Sequence, residues 1–167
     1  MTAFVLNPDQ NLLVEQARAL CQGESDPVAN AANLASLCGH VWPDVSWVGF
    51  YWRYGAELRL GPFWGKPACT RIALGQGVCG TVAESGASLL VPNVHAFPGH
   101  IACDAATNSE LVVPLLRDGQ VWGVLDVDST TPERFTAAEK QLAEELAAVY
   151  VASLPQAVFF GPDVSAD

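Results

Sequence analysis

The chain has 167 residues, 50% of them hydrophobic and 16% charged, with 8 Lys and Arg against 18 Asp and Glu for a net charge of −10. That length suits one domain able to bury roughly 70% of its unfolded surface, and the composition excludes a disordered chain. The acidity excludes a nucleic-acid binder, which needs clustered cations to neutralise phosphates, and an anionic membrane surface. The first ten residues lack a cationic segment followed by an apolar run, so no signal peptide is expected. No apolar run reaches the ~20 residues that span a bilayer. A cytoplasmic location follows as an expectation. Stable disulfides are rare there, so the five cysteines at 21, 38, 69, 79 and 103 are either packed thiols or reactive ones.

Asn7-Pro8 reads as a helix start, and Leu12, Leu13, Ala17, Leu20 and Cys21 follow at helical spacing. Asp26-Pro27 repeats the signal, with Val28, Ala31, Ala32, Leu34, Ala35, Cys38 and Trp42 as a second stripe ended by Pro43. Cys21 and Cys38 lie on these stripes and read as core thiols. From residue 45 the pattern becomes aromatic and β-branched. Residues 45–53 and 57–63 read as a hairpin turning at Tyr54-Gly55. Residues 64–71 form a loop, 76–84 a short helix after Gly75-Gln76-Gly77, and 88–91 a short strand. Residues 110–116 and 121–128 make a second hairpin through Asp118-Gly119. Thr136 and Glu139 form a capping box that starts a helix to about Ser153, stopped by Pro155. Helix, helix, hairpin, irregular middle, hairpin, helix gives an α+β domain. Its sheet is mainly antiparallel, with the first and last helices on one face and long loops on the other.

Alternation along the last strand puts Trp122, Val124, Asp126 and Asp128 on the loop face, and Val121, Gly123, Leu125 and Val127 against the helices. Glu110 opens the neighbouring strand. Either three carboxylates converge under the loops, or they end strands at solvent. Cys69, Cys79 and Cys103 all fall in the irregular middle. Cys79 follows a glycine-rich helix start, where a thiolate is favoured, and Lys66 and Arg71 flank Cys69. These three are either reactive thiols or unrelated loop residues. The stretch HAFPGHIACD (95–104) gathers two histidines, a cysteine and an aspartate around Pro-Gly. A zinc reading is disfavoured because the chain has no C-x₂-C pair, so no metal and no cofactor are expected. The histidines then shape the loop or tune its thiol.

WVGFYW (47–52), LGPFWGKPACTRI (60–72), GVCGT (77–81), VHAFPGHIACDAATNSELVVPL (94–115) and GVLDVDS (123–129) closely resemble the free methionine-(R)-sulfoxide reductases, small enzymes on the GAF fold. The resemblance is strong over residues 40–130. It implies a single GAF-like catalytic domain over residues 1–160; the small and polar residues of 161–167 read as a frayed tail. It also implies that Cys103 attacks the sulfoxide, that Cys69 is the main resolving thiol and that Cys79 is a third thiol able to join disulfides. Glu110, Asp126 and Asp128 would hold and activate the substrate, and Trp47 and Tyr51 would wall its methyl group. The implied partners are free methionine-(R)-sulfoxide, thioredoxin as reductant and a second copy in a homodimer. The rival reading is a non-catalytic GAF module that senses a small ligand or redox state.

Overall fold

A computed structural model describes residues 5–165. Four α-helices, α1 (Pro8–Cys21), α2 (Pro27–Val41), α3 (Gly77–Ser85) and α4 (Ala137–Ser153), surround six strands. The strands are β1 (Trp47–Tyr54), β2 (Glu57–Trp64), β3 (Arg71–Ala73), β4 (Leu89–Val91), β5 (Ser109–Arg117) and β6 (Gln120–Ser129). They form one sheet in the order β3-β2-β1-β6-β5-β4, antiparallel throughout. Strand β3 lies inside the span expected to be loop and its continuation: three residues pair with the start of β2. Both predicted hairpins are present. Asp118 and Gly119 take positive φ of 51° and 75°, the conformation a two-residue hairpin turn requires.

The helix starts follow their capping chemistry. Asn7 accepts from the Gln10 N–H and its own N–H donates back to Gln10 Oε1. Asp26 accepts from Val28 and Ala29. Helices α1, α2 and α4 cover one sheet face, where Phe50, Leu111, Leu115, Leu125 and Val127 meet Leu142, Leu146 and Tyr150. The Tyr150 hydroxyl accepts from Trp52 Nε1 at 3.1 Å and donates to the Pro27 carbonyl, tying sheet, α4 and α2 together. Cys21 and Cys38 are buried in this core. Four expected stripe residues face outward instead: Leu12, Leu20, Val28 and Ala32 are exposed, while Leu13, Val14 and Ala17 carry the contact.

The strand alternation breaks at Trp122. Leu115 pairs with Gly123 but Leu116 pairs with Val121, so Trp122 is the extra residue of a β-bulge. The bulge swaps the expected faces of two residues. Trp122 packs on the helix side against Phe160, and Val121 joins the cluster on the other side. Asp126 and Asp128, beyond the bulge, keep the loop face. That face is covered by α3 and the segments 65–70 and 92–108. The segment expected to fray meets the sheet at its first residue. Phe160 is buried and stacks on Trp52 at 4.7 Å, and Gly161 exchanges backbone hydrogen bonds with Arg53 and Gly55. Residues 166–167 lie outside the described span.

Glu139 anchors the start of α4. Its carboxylate accepts from Thr136, from Trp42 Nε1 at 3.0 Å and from Arg134 Nη1 at 2.7 Å. Burial pushes this carboxyl up, but the hydrogen bonds from Trp42, Arg134 and Thr136 overcome that and hold it below its ordinary range. A depressed folded pKa stabilises above the unfolded value, ~4.3, and that stability is lost as pH falls. Glu139→Gln is expected to cost about 2–4 kcal/mol at pH 7, since it weakens a buried ion pair and a helix cap. Urea unfolding of both proteins at pH 7 and pH 3 checks this: the gap narrows at the lower pH.

Candidate active site

On the central strand β1, Trp47, Gly49 and Tyr51 point to the loop face. Gly49 has no Cβ because the Trp47 ring lies across it; a Cβ there would also meet Phe63 Cβ at 2.6 Å. Trp47 stacks on Phe63 at 5.4 Å and lies 6.0 Å from the Tyr51 ring. Both polar tips hold the segment that carries Cys69. Trp47 Nε1 donates to the Lys66 carbonyl at 3.0 Å, and the Tyr51 hydroxyl donates to the Cys69 carbonyl at 2.9 Å.

Strand β6 runs antiparallel to β1 with Asp128 opposite Trp47 and Asp126 opposite Gly49. On its other side Asp128 faces Glu110 directly across to β5. Of the two sequence alternatives, the geometry is the convergent one. Glu110 and Asp126 are 6% and 5% exposed, and Asp128 keeps partial contact with solvent. Burial raises all three carboxyls. Charge repulsion adds to this at Asp126, from Asp128 and Glu110, and at Asp128, from Glu110 and Asp104. Burial and mutual repulsion therefore disfavour full ionisation of the cluster. Tyr51 beside them is also raised, by burial first and then by these carboxylates.

Cys79 corrects an expectation. It does sit in the first turn of α3, entered through Gly77 at φ 61°, against which Ile101 packs. The helix start does not make it a thiolate. Burial, and then Asp126, Glu110 and Asp128, push its thiol well above the ordinary range. Its thiol lies 3.8 Å from Glu110 Oε1 as a hydrogen-bond donor. The charged neighbours expected for Cys69 also point elsewhere. Arg71 pairs with Glu57 at 2.8 Å, and Lys66 reaches Asp104 at 3.9 Å.

Cys69 and Cys103 are joined by a disulfide, which ties the segment after β2 to the HAFPGHIACD loop. In that loop Asn93 accepts from the His95 N–H, and Asp104 accepts from the Ala106 N–H. His95 Nε2 bonds the Asn108 side chain at 3.0 Å and its ring sits edge-on to His100. His100 is lowered by partial burial and by His95. The histidines therefore brace the loop, and only His100 lines the cavity beneath it.

One cavity joins these parts. Trp47, Tyr51 and Ile72 form an apolar wall, Glu110, Asp126 and Asp128 the floor, and Cys79, His100, Ile101 and Cys103 the remaining sides. It has room for a few waters or one small solute. Asp126 Oδ1 is buried here with no hydrogen-bond partner. Sequence reading did not find Ile72, Ile101 or the Lys66–Asp104 pair. Strand β3 supplies Ile72 through a contact with β2 that no periodicity announces.

The GAF domain pattern matches residues 11–154. The free methionine-R-sulfoxide reductase of Escherichia coli is 47% identical over 130 residues, covering 78% of this chain and 79% of that protein. The chain is a GAF domain of the free methionine-R-sulfoxide reductase family. The same fold is seen in the free methionine-R-sulfoxide reductase of Neisseria meningitidis in complex with its substrate. That structure has a TM-score of 0.83 at 37% identity, and the match covers 92% of this chain and 93% of that one. A putative GAF sensor protein from Burkholderia vietnamiensis matches with a TM-score of 0.84 at 51% identity, over 87% of this chain and 93% of that one. No helix among the described residues is long and apolar enough to cross a membrane.

The geometry sorts the five cysteines by accessibility. In the disulfide form, an alkylating reagent is expected to label none of Cys21, Cys38 and Cys79 quickly, because all three are buried. After mild reduction of the native protein, Cys69 and Cys103 label first. Peptide mass spectrometry over a time course checks the order, with unfolded protein as the reference.

Proposed function

We propose that this protein reduces free L-methionine-(R)-sulfoxide to L-methionine. The observation that carries the reading is the single cavity that holds a cysteine of the disulfide, three raised carboxyls and an aromatic wall. The Cys103 thiolate attacks the sulfoxide sulfur and a carboxylic acid of the cluster protonates the oxygen. The oxygen passes from the methionine sulfur to the Cys103 sulfur as the bond between the two sulfurs breaks, which releases methionine and leaves Cys103 as a sulfenic acid. The Cys69 thiol then displaces it as water, giving the disulfide. A thioredoxin-type dithiol reduces that disulfide and is itself oxidised.

The carboxyl cluster suits a free amino acid. An ionised member balances an ammonium group, and the unpartnered Asp126 oxygen offers it a buried acceptor. A protonated member serves as the acid at neutral pH because its pKa is raised. Trp47 and Tyr51 give the methyl group an apolar neighbour. A peptide bond in place of the ammonium group removes the charge that the floor is built to meet. Exposed Leu12, Val28 and Val41 on α1 and α2 support a homodimer.

The deciding assay follows NADPH consumption through thioredoxin and its reductase. Free methionine-R-sulfoxide is expected to turn over, and the S epimer and peptide-bound sulfoxide are not. Equal rates on the peptide-bound form would overturn the closed-cavity reading, and absence of methionine in every arm would favour a ligand sensor.

Glu110→Gln and Asp128→Asn are each expected to lower kcat by about 10²-fold or more, the usual weight of a positioned acid. Circular dichroism of both variants should match the parent, and unchanged kinetics would make them merely buried strand residues.

Cys103→Ser is expected to form no methionine. Cys69→Ser should form one methionine per chain without added reductant, then stall with a sulfenic acid on Cys103. Tyr51→Phe keeps the ring and removes the hydroxyl that holds the Cys69 carbonyl. Its first turnover should match the parent while the sulfenic acid lasts longer. Single-turnover assays with mass spectrometry of Cys103 distinguish all three.

A further inference from the structure

Cys79, Glu110 and Asp126 each offer one donor atom, and the three atoms lie within 4.8 Å of one another. All three residues are more than nine-tenths buried. Cys79 Sγ and Glu110 Oε1 are 3.8 Å apart. A tetrahedral zinc ion with Zn–S about 2.3 Å and Zn–O about 2.0 Å holds such a pair roughly 3.5 Å apart. A shift of a few tenths of an ångström therefore brings these two donors to coordination distance.

A second observation points to a ligand. Asp126 Oδ1 is buried, faces the same cavity and accepts no hydrogen bond from an N–H or O–H donor, although the Asp126 carboxyl group lies within hydrogen-bonding reach of Cys79 and Glu110. A buried carboxylate oxygen in that state is stabilised by a cation. The protein's own cations near the cavity are engaged elsewhere, Lys66 with Asp104 and Arg71 with Glu57. The donors ride on α3, β5 and β6, three rigid elements packed on one another, so the set is held in place without a loop. Cys79 stands outside the disulfide, so all three donors persist in the oxidised protein.

We propose that Cys79, Glu110 and Asp126 form a binding site for a thiophilic dication of the zinc class, with the fourth coordination position facing the cavity. One soft thiolate with two carboxylates selects Zn²⁺ or Co²⁺ over Mg²⁺ and Ca²⁺, which take oxygen ligands alone. The three donors come from distant parts of the chain, so no short spacing in the sequence marks them. On the reading that this cavity takes the ammonium group of free methionine-R-sulfoxide, the ion and the substrate occupy overlapping space, and zinc inhibits competitively.

The test is a Co²⁺ titration of the full chain in its disulfide form, followed by absorption. One equivalent is expected to bind, with intense visible bands of tetrahedral cobalt and a near-ultraviolet thiolate-to-cobalt band. Stoichiometric Zn²⁺ should erase both. Cys79→Ser should lose the thiolate band, and Asp126→Asn should weaken binding at least tenfold. Cys21→Ser and Cys38→Ser should leave the spectrum unchanged. Weak octahedral spectra without a thiolate band, or a thiolate band that survives in Cys79→Ser, would overturn the proposal. Added free methionine-R-sulfoxide should displace the cobalt. Methionine formation by chelator-treated, metal-free protein tests the reductase reading separately, so either idea can fail alone.

Discussion

The pairing of β1 with β6 is the contact on which the site depends. Each strand belongs to a local hairpin, and the two hairpins meet only through this non-local ladder. Its register sets Trp47 opposite Asp128 and Gly49 opposite Asp126. A one-residue slip of β6 would turn the carboxylates into the helix-side core and the Leu125 and Val127 side chains into the cavity. The hydrophobic pattern of both strands forbids that slip, so the force that fixes the core also fixes the site.

The carboxyl cluster is costly to assemble. Glu110 and Asp128 face each other directly across β5 and β6, a pairing that ordinarily destabilises a sheet. Partial protonation relieves the repulsion, and the rest of the fold carries what is left. The buried Tyr150, Phe50 and Trp52 cluster, and the Glu139 junction between α2 and α4, hold the far side of the sheet rigid. The domain thus separates two tasks between its faces, with apolar packing on one and strained chemistry on the other.

Much of this was legible in the sequence because it is local. Helix caps at Asn7, Asp26 and Thr136, the Asp118-Gly119 turn and the two-residue alternation at Asp126 and Asp128 are short-range signals. What was not legible depends on distant partners. The bulge at Trp122 moves one aromatic across the sheet, and nothing in its own neighbours announces the extra residue. Leu12 and Leu20 match helical spacing, but the neighbouring positions face α4. For Cys79 the helix-start argument was locally sound. It was outweighed by burial, and then by carboxylates that arrive from strands some thirty and more residues later.

The indole of Trp47 joins three environments at once. Its ring lies over the cavity wall, it stacks on Phe63, and its N–H holds the backbone of the segment leading to Cys69. Opening the Cys69–Cys103 bond, or filling the cavity, alters the polarity and hydrogen bonding around one chromophore. The other four tryptophans, Trp42, Trp52, Trp64 and Trp122, sit on or against the helix-side core. The domain therefore carries its own optical gauge, whose emission follows the redox state and occupancy of one face while the opposite face supplies a constant background.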